Sequence, residues 1–271
     1  MRAWTLGSGS SGNSIVLETG GQRILIDCGF GPRAVATRLK AVGIEPESIA
    51  GILVTHEHVD HAQGVGRAQH KWRWPVIASP GTLDAIGGIP DRWRRPVHPG
   101  APLVFEGLEI QAFDIPHDAS APSAFLVTSR SSGERAGIAH DLGEVPEALV
   151  AGFRDAELLL IEANHDTEML RNGPYPPRLQ DRIRGRLGHL SNAQSAEWAV
   201  ACAGPATREI VLLHLSEQNN TPEVAERTLR GALSRARFRG RVMAAPRKTP
   251  ALVAGLANGR GGSAVQMALG L

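Results

Sequence analysis

The sequence predicts an α+β fold in which two β-sheets lie back to back with helices outside. Three observations carry this. Strands and helices mix through two successive halves of similar make-up. No linker and no short-period repeat interrupts the 271 residues, enough chain to bury a sizeable core. The stretch LVTHEHVDHAQGV, residues 53–65, crowds three histidines and two acids into six positions, His56 to His61, directly after an apolar run.

The elements follow in order. Arg2–Leu6 reads as a short strand, GSGSSGNS (Gly7–Ser14) as a loop and Ile15–Thr19 as a strand. Gly20-Gly21 closes a hairpin onto Arg23–Gly29, and a helix runs from Pro32 to Val42. Ile49–Thr55 is a buried strand entering the histidine cluster, and Gly64–Lys71 is helical. Trp74–Ser79 is a strand, followed by a short helix opened by Pro80. Pro102–His117 is a hairpin turning at Glu106-Gly107, and Ser123–Arg130 and Arg135–Gly143 are further strands. Then come a helix at Pro146–Arg154, a strand at Ala156–Asn164, an amphipathic helix at 193–203 and a strand at Glu209–Ser216. A helix at Pro222–Arg235 and a strand at Arg241–Ala245 complete the ordered part. The expected organisation is one domain over residues 1–250, with a Gly/Ala-rich peripheral tail over 251–271.

Composition bounds the function. Apolar residues make up 42% and charged residues 21%, which excludes a disordered chain. The net charge of +2 does not by itself announce a nucleic-acid binder. Of the 29 basic residues 26 are Arg, a bias that suits phosphate recognition, although a GC-rich genome is its plainer source. Cys28 and Cys202 form no CxxC pattern, and reduced thiols in a cytoplasmic protein are the simplest account. Residues 1–20 lack the pattern of a signal peptide, and no apolar run reaches the roughly 18 residues of a membrane span.

His56 and His58 point to one side of extended chain, and a tight turn brings Asp60 and His61 back over the same spot. Neutral imidazole suits zinc and similar ions, and an adjacent carboxylate holds a second ion or a water. THEHVDHAQG resembles the HxHxDH motif of the metallo-β-lactamase superfamily. The resemblance implies a four-layer αββα sandwich with a metal centre at one sheet edge. It also implies ligands at later strand ends, matched by His117 in FDIPHDAS, Asp141 in GIAHDLG and His214 in VLLHLS. Site one would be His56, His58 and His117. Site two would be Asp60, His61 and His214, with Asp141 bridging. His140 stands where the family has Thr or Ser. Two divalent cations, zinc first and manganese or iron as alternatives, would activate water and grip two substrate oxygens.

Three further stretches resemble the bacterial YycJ/WalJ-like family from about residue 3 to 250: LGSGSSGNSIVLETGGQRILIDCG, LLIEANHDTEMLRNGPYPPRLQDRIRGRLGHLSNAQSA and LLHLSEQNNTPEVA. The resemblance implies a cytoplasmic metal-dependent phosphodiesterase, with 5′-to-3′ DNA exonuclease activity foremost. Small cyclic phosphates or nucleotide diesters, and secondary β-lactamase activity, are the alternatives. The LLIEA…GHLS…LLHLS pattern is similar to that of tRNA 3′-processing endonucleases, which implies that Glu162 orients His189 as general acid, with Asp60 steering the attacking water. A structural His189 capping the following helix is the plainer alternative.

Ser11 and Asn13, in the Gly/Ser loop, are candidates to touch substrate, Asn13 alternatively ordering the metal loop. His165 is a candidate further ligand or substrate contact. Arg171–Leu187 reads as a linker in which Arg178 and Arg182 either hold phosphates or belong to a solvated helix face. The KWRW stretch at Lys71–Trp74 is a second basic–aromatic candidate. Nucleic acid or a nucleotide-like molecule is the expected partner, and no membrane is.

Overall fold

Each half of the chain opens on a hairpin closed by two residues in left-handed conformation, Gly20-Gly21 and Glu106-Gly107. These two-residue turns match the right-handed twist of the strands they join. The computed structural model describes residues 1–255. The first half contains β1 (Arg2–Gly7), β2 (Ser14–Thr19), β3 (Gln22–Ile26), α1 (Pro32–Ala41), β4 (Gly51–Leu53), α2 (Val59–Ala62), α3 (Val65–Trp72), β5 (Val76–Ala78), α4 (Pro80–Ile86) and β6 (Arg94–Pro96). The second begins with β7 (Leu103–Phe105), β8 (Leu108–Asp114), β9 (Ser123–Ser129), β10 (Arg135–Ala139), α5 (Glu147–Phe153) and β11 (Leu158–Glu162). It continues with α6 (Thr167–Asn172), α7 (Pro177–Arg184), α8 (Asn192–Cys202), β12 (Glu209–Leu213), α9 (Pro222–Arg235), β13 (Arg241–Ala244) and β14 (Ala251–Gly255).

The strands form two seven-stranded mixed sheets, ordered β14-β1-β2-β3-β4-β5-β6 and β13-β12-β11-β10-β9-β8-β7. In each, strands flanking the hairpin pair antiparallel, and the strands joined through helices pair parallel. The sequence of β11, LLLIE, shows why the layers stack. Leu158 and Leu160 face the other sheet, while Leu159 and Ile161 pack against the helices. A parallel strand covered on both faces must be apolar on both. One core lies between the sheets, a second under α5, α8 and α9, and a third under α1, α3 and α4. The result is the four-layer αββα sandwich. No helix among the described residues is long and apolar enough to cross a membrane.

Several elements differ from the sequence expectation. Asp60 and His61 sit on the short helix α2, not on a turn. The stretch read as a linker, Arg171–Leu187, holds the end of α6 and all of α7. Asp166 starts α6 by accepting the amides of Glu168 and Met169, and Pro177 starts α7. The tail expected from residue 251 instead begins as strand β14, antiparallel to β1, with Val253 and Ala254 buried. The rest of that tail, 256–271, lies outside the described residues.

Candidate metal centre

The chemistry gathers where strands end. His56 follows β4, Asp141 follows β10, Glu162 closes β11 and His214 follows β12. Asp27, Asp141 and His214 each adopt a left-handed backbone, with φ of 55°, 58° and 55°. Such residues cost of order 1–3 kcal/mol and persist where the surroundings force them, and here all three turn a side chain into one site.

Asp27 organises the histidine loop from beneath. Its carboxylate accepts the Thr55 amide at 2.8 Å and the Thr55 hydroxyl at 2.9 Å, and it lies 2.8 Å from His61 Nδ1. Backbone contacts lock the same loop: Asn13 N donates to Asp60 O and Cys28 N to His61 O, both at 2.7 Å. Gly29 permits this approach, because a Cβ there would lie 1.8 Å from Asp60 O. Gly64 does the same against Phe30 O, at 1.9 Å.

Four overlapping groups of donors result among the described residues, and two of them coincide with the expected ligand sets. His56, His58 and His117 bring one nitrogen each within 4.8 Å of one another, and so do Asp60, His61, Asp141 and His214 with their ligand atoms. Asp141 touches both groups: Oδ2 is 3.5 Å from His56 Nε2 and 2.7 Å from His61 Nε2, and Oδ1 is 2.7 Å from His214 Nδ1. His56 Nε2 and His214 Nε2 are buried without a hydrogen-bond partner among the described residues. An orphaned buried nitrogen costs about 1–3 kcal/mol, a cost that a cation coordinated by it removes. Donor chemistry, mutual distances and orphaned nitrogens therefore fit a pair of divalent cations.

His189 and Glu162 meet beside these groups. His189 Nδ1 lies 2.8 Å from Glu162 Oε1, and Glu162 Oε2 accepts the amides of Leu190 and Leu142. Burial alone would raise the Glu162 carboxyl, but the His189 charge and hydrogen bond overcome it and hold the group at about 2. Burial pushes His189 down, and the Glu162 carboxylate more than offsets this, so its net shift is upward. His189 is not a helix cap: Ser191 caps α8, in a capping box with Gln194.

The other candidates fall as follows. Asn13 is buried, its side-chain amide 3.2 Å from Asp60 Oδ2 and 2.9 Å from His61 Nε2, so it orders the metal loop. Ser11 is exposed, and its neighbour Ser10 lines the cavity of about 240 Å³ over the metal groups. His165 is buried, belongs to none of the donor groups, and is pushed down to about 4 by burial. Arg182 lines the cavity and ion-pairs with Asp118 at 2.6 Å, whereas Arg178 is not among the lining residues. At Lys71–Trp74, Trp72 and Trp74 stack on one another at 4.5 Å.

Sequence reasoning missed Asp27, Thr55, Asp118 and the part taken by His140. His140 Nε2 lies 3.2 Å from Asp27, and its ring stacks on His61 at 4.9 Å, so the residue that departs from the family pattern braces the same aspartate. DCG and DAS carried no signal, because the partners of these acids are distant in sequence.

The model of the beta-lactamase superfamily domain matches residues 22–215. The chain is 36% identical over 239 residues to exodeoxyribonuclease WalJ of Streptococcus pneumoniae, covering 85% of this chain and 87% of that one. It is 32% identical over 237 residues to exodeoxyribonuclease YycJ of Bacillus anthracis, covering 86% and 89%. Among solved structures, the metallo-beta-lactamase fold protein YhfI of Bacillus subtilis superposes with a TM-score of 0.70 at 15% identity, covering 93% of this chain and 98% of that one. Human tRNase Z, short form, superposes at 0.65 and 18%, covering 94% and 100%. At such identities these two establish the shared fold.

Proposed function

The chain belongs to the beta-lactamase superfamily, in the group of the WalJ and YycJ proteins, and on that premise we propose that it is a 5′-to-3′ DNA exonuclease. It is a metal-dependent hydrolase, and the family and the His/Asp groups together support a divalent-metal site at this edge. Zinc is the proposed ion. Two ligand atoms on one tetrahedral zinc, each about 2.0–2.1 Å from it, stand about 3.3 Å apart. His58 Nδ1 and His117 Nε2 are separated by 3.3 Å. In the proposed assignment, His56, His58 and His117 hold one ion, Asp60, His61 and His214 hold the other, and Asp141 lies between.

When bound, the two cations supply Lewis acidity for the phosphoryl oxygens and for water. The remaining work falls to side chains. Asp60, the more exposed carboxylate of the second group, accepts a hydrogen bond from the attacking water and directs it. Arg182 engages the phosphate from the rim, exchanging Asp118 for substrate. Glu162 fixes the His189 ring through Nδ1, which leaves Nε2 to protonate the departing oxygen. The single observation that carries this reading is the half-buried His189 held by the buried Glu162 carboxylate against the metal groups. A proton donor held by a buried carboxylate suits a leaving alkoxide. The free, buried thiols of Cys28 and Cys202 support a cytoplasmic setting.

The test is turnover of bis(p-nitrophenyl) phosphate and of 5′-phosphorylated single-stranded DNA, with zinc or manganese. Wild type is expected to cleave both and Asp60→Ala neither. His189→Ala should lose about 10²–10⁴-fold on DNA. It should lose far less on the small diester, whose p-nitrophenolate leaves without a proton. Equal loss on both substrates would remove His189 from the role of acid.

A further inference from the structure

One of the two arginine-rich stretches of this protein, residues 222–247, leads away from the metals; the other, 171–187, carries Arg182 at the metal cavity. Residues 222–247 carry seven arginines against two glutamates, a surplus of five in a chain whose net charge is +2. Helix α9 starts at the metal edge, where Asn220 donates to the Ala163 and Asn164 carbonyls just past β11. With 14 residues it runs about 20 Å, and its far end opens onto a groove of about 720 Å³. Arg208, Arg237, Arg239 and Arg241 line that groove together with Phe238.

Three observations separate this groove from an ordinary solvated surface. Arg208, Arg237 and Arg239 are exposed and make no ion pair among the described residues, whereas Arg241 and Arg230 are paired with Glu209 and Glu226. The nearby acids are already engaged: Asp155 accepts the Ala206 amide, and Glu209 accepts Arg241 and the Gly255 amide. The fold forces the arginines together. The Arg241 amide bonds the Arg208 carbonyl at 2.8 Å, and a Cβ at Gly240 would lie 2.3 Å from that carbonyl. The negative end of the α9 dipole accounts for Arg235 and Arg237. It does not account for Arg208 and Arg239, which come from neighbouring segments.

We infer that this groove is a second nucleic-acid contact, a phosphate-binding surface that holds DNA beyond the stretch being cut. The inference rests on the phosphodiesterase reading of the metal centre. Arg208 and His214 bracket β12, so the groove lies about 20 Å from the metals, roughly six base steps of DNA. Exposed Arg227 stands midway along α9, the helix that joins the metal edge to the groove.

The experiment uses metal-loaded protein and cleavage-resistant phosphorothioate DNA of about 40 and about six nucleotides, in a potassium chloride titration. The triple variant Arg208→Gln/Arg237→Gln/Arg239→Gln should bind the long DNA at least about tenfold more weakly at about 0.15 M salt. Its slope of log affinity against log salt should fall by about two, at about 0.7 per lost phosphate contact. Binding of the short DNA and turnover of bis(p-nitrophenyl) phosphate should match wild type. The corresponding triple lysine variant should restore long-DNA binding. An unchanged slope on long DNA would overturn the inference and turn the groove toward an acidic protein surface. An equal loss on the short DNA would overturn it as well. A wild type that binds long DNA through these arginines but never cleaves a diester would keep the groove and remove the catalytic reading.

Discussion

The loop from Thr55 to Gly64 and helix α7 face the same cavity, yet they are built in opposite ways. In the loop, His56 and His61 are fully buried, and Asp27, Asn13 and Cys28 hold the chain from three directions. Helix α7 buries no residue, exposes Leu179 and reaches the cavity through Arg182 and its pair with Asp118. The contrast teaches a division of labour. Groups that must hold cations at fixed separation are over-determined, because a fraction of an ångström decides coordination. Groups that meet a long, variable substrate sit on a surface element that adapts at little cost.

Breaking the loop should give the largest effects. Chelation of the metals, or Asp141→Gly, is expected to lower diester turnover by about 10³-fold or more, with turnover returning on metal addition only in wild type. Next comes Gly29→Ala, whose added carbon must displace the Asp60 carbonyl. It should cost about 2–4 kcal/mol, seen as a fall in Tm, together with lost metal content by elemental analysis. Unchanged Tm and metal content would show that the loop yields more easily than its packing implies. Asp27→Asn should follow, with metal affinity down about 10–100-fold in a chelator competition while the fold persists.

Changes on α7 should be smaller and of another kind. Arg182→Gln is expected to weaken single-stranded DNA binding by about tenfold and to reduce the salt slope by about 0.7, with metal content unchanged. Leu179→Ser, the mildest, should alter stability by less than about 0.5 kcal/mol. A large loss of Tm in either variant would erase the distinction between the two regions.

The same contrast explains what the sequence made legible. The loop could be read because its ligands stand within six positions and end an apolar run, and the later ligands each close a buried strand. Asp27 could not, because it meets His61 and Thr55 only once β3 and β4 pair, and it looks like any acid at a strand end. Helix α7 was legible only as the solvated-face alternative for Arg178 and Arg182, because a helix that buries nothing leaves no core-facing stripe to fix it. The five residues of β14 escaped because ALVAG, itself made of Ala, Gly and only two larger apolar residues, carries little pattern of its own. It is ordered by β1 and by Arg241 reaching the Val253 carbonyl.

The left-handed backbone at Asp27, Asp141 and His214 bears on how this scaffold can be re-engineered. Each of these positions is asked for two things at once, a bend that glycine makes most easily and a side chain that glycine lacks. Alanine removes both together, so an alanine scan would confound loss of a donor with loss of a turn. Asparagine at 27 or 141 keeps the turn and withdraws the charge, and glycine keeps the turn and withdraws the whole side chain. A library designed to exchange the resident metal should draw from that short alphabet, since a β-branched ligand there would spend its binding energy on straightening the chain.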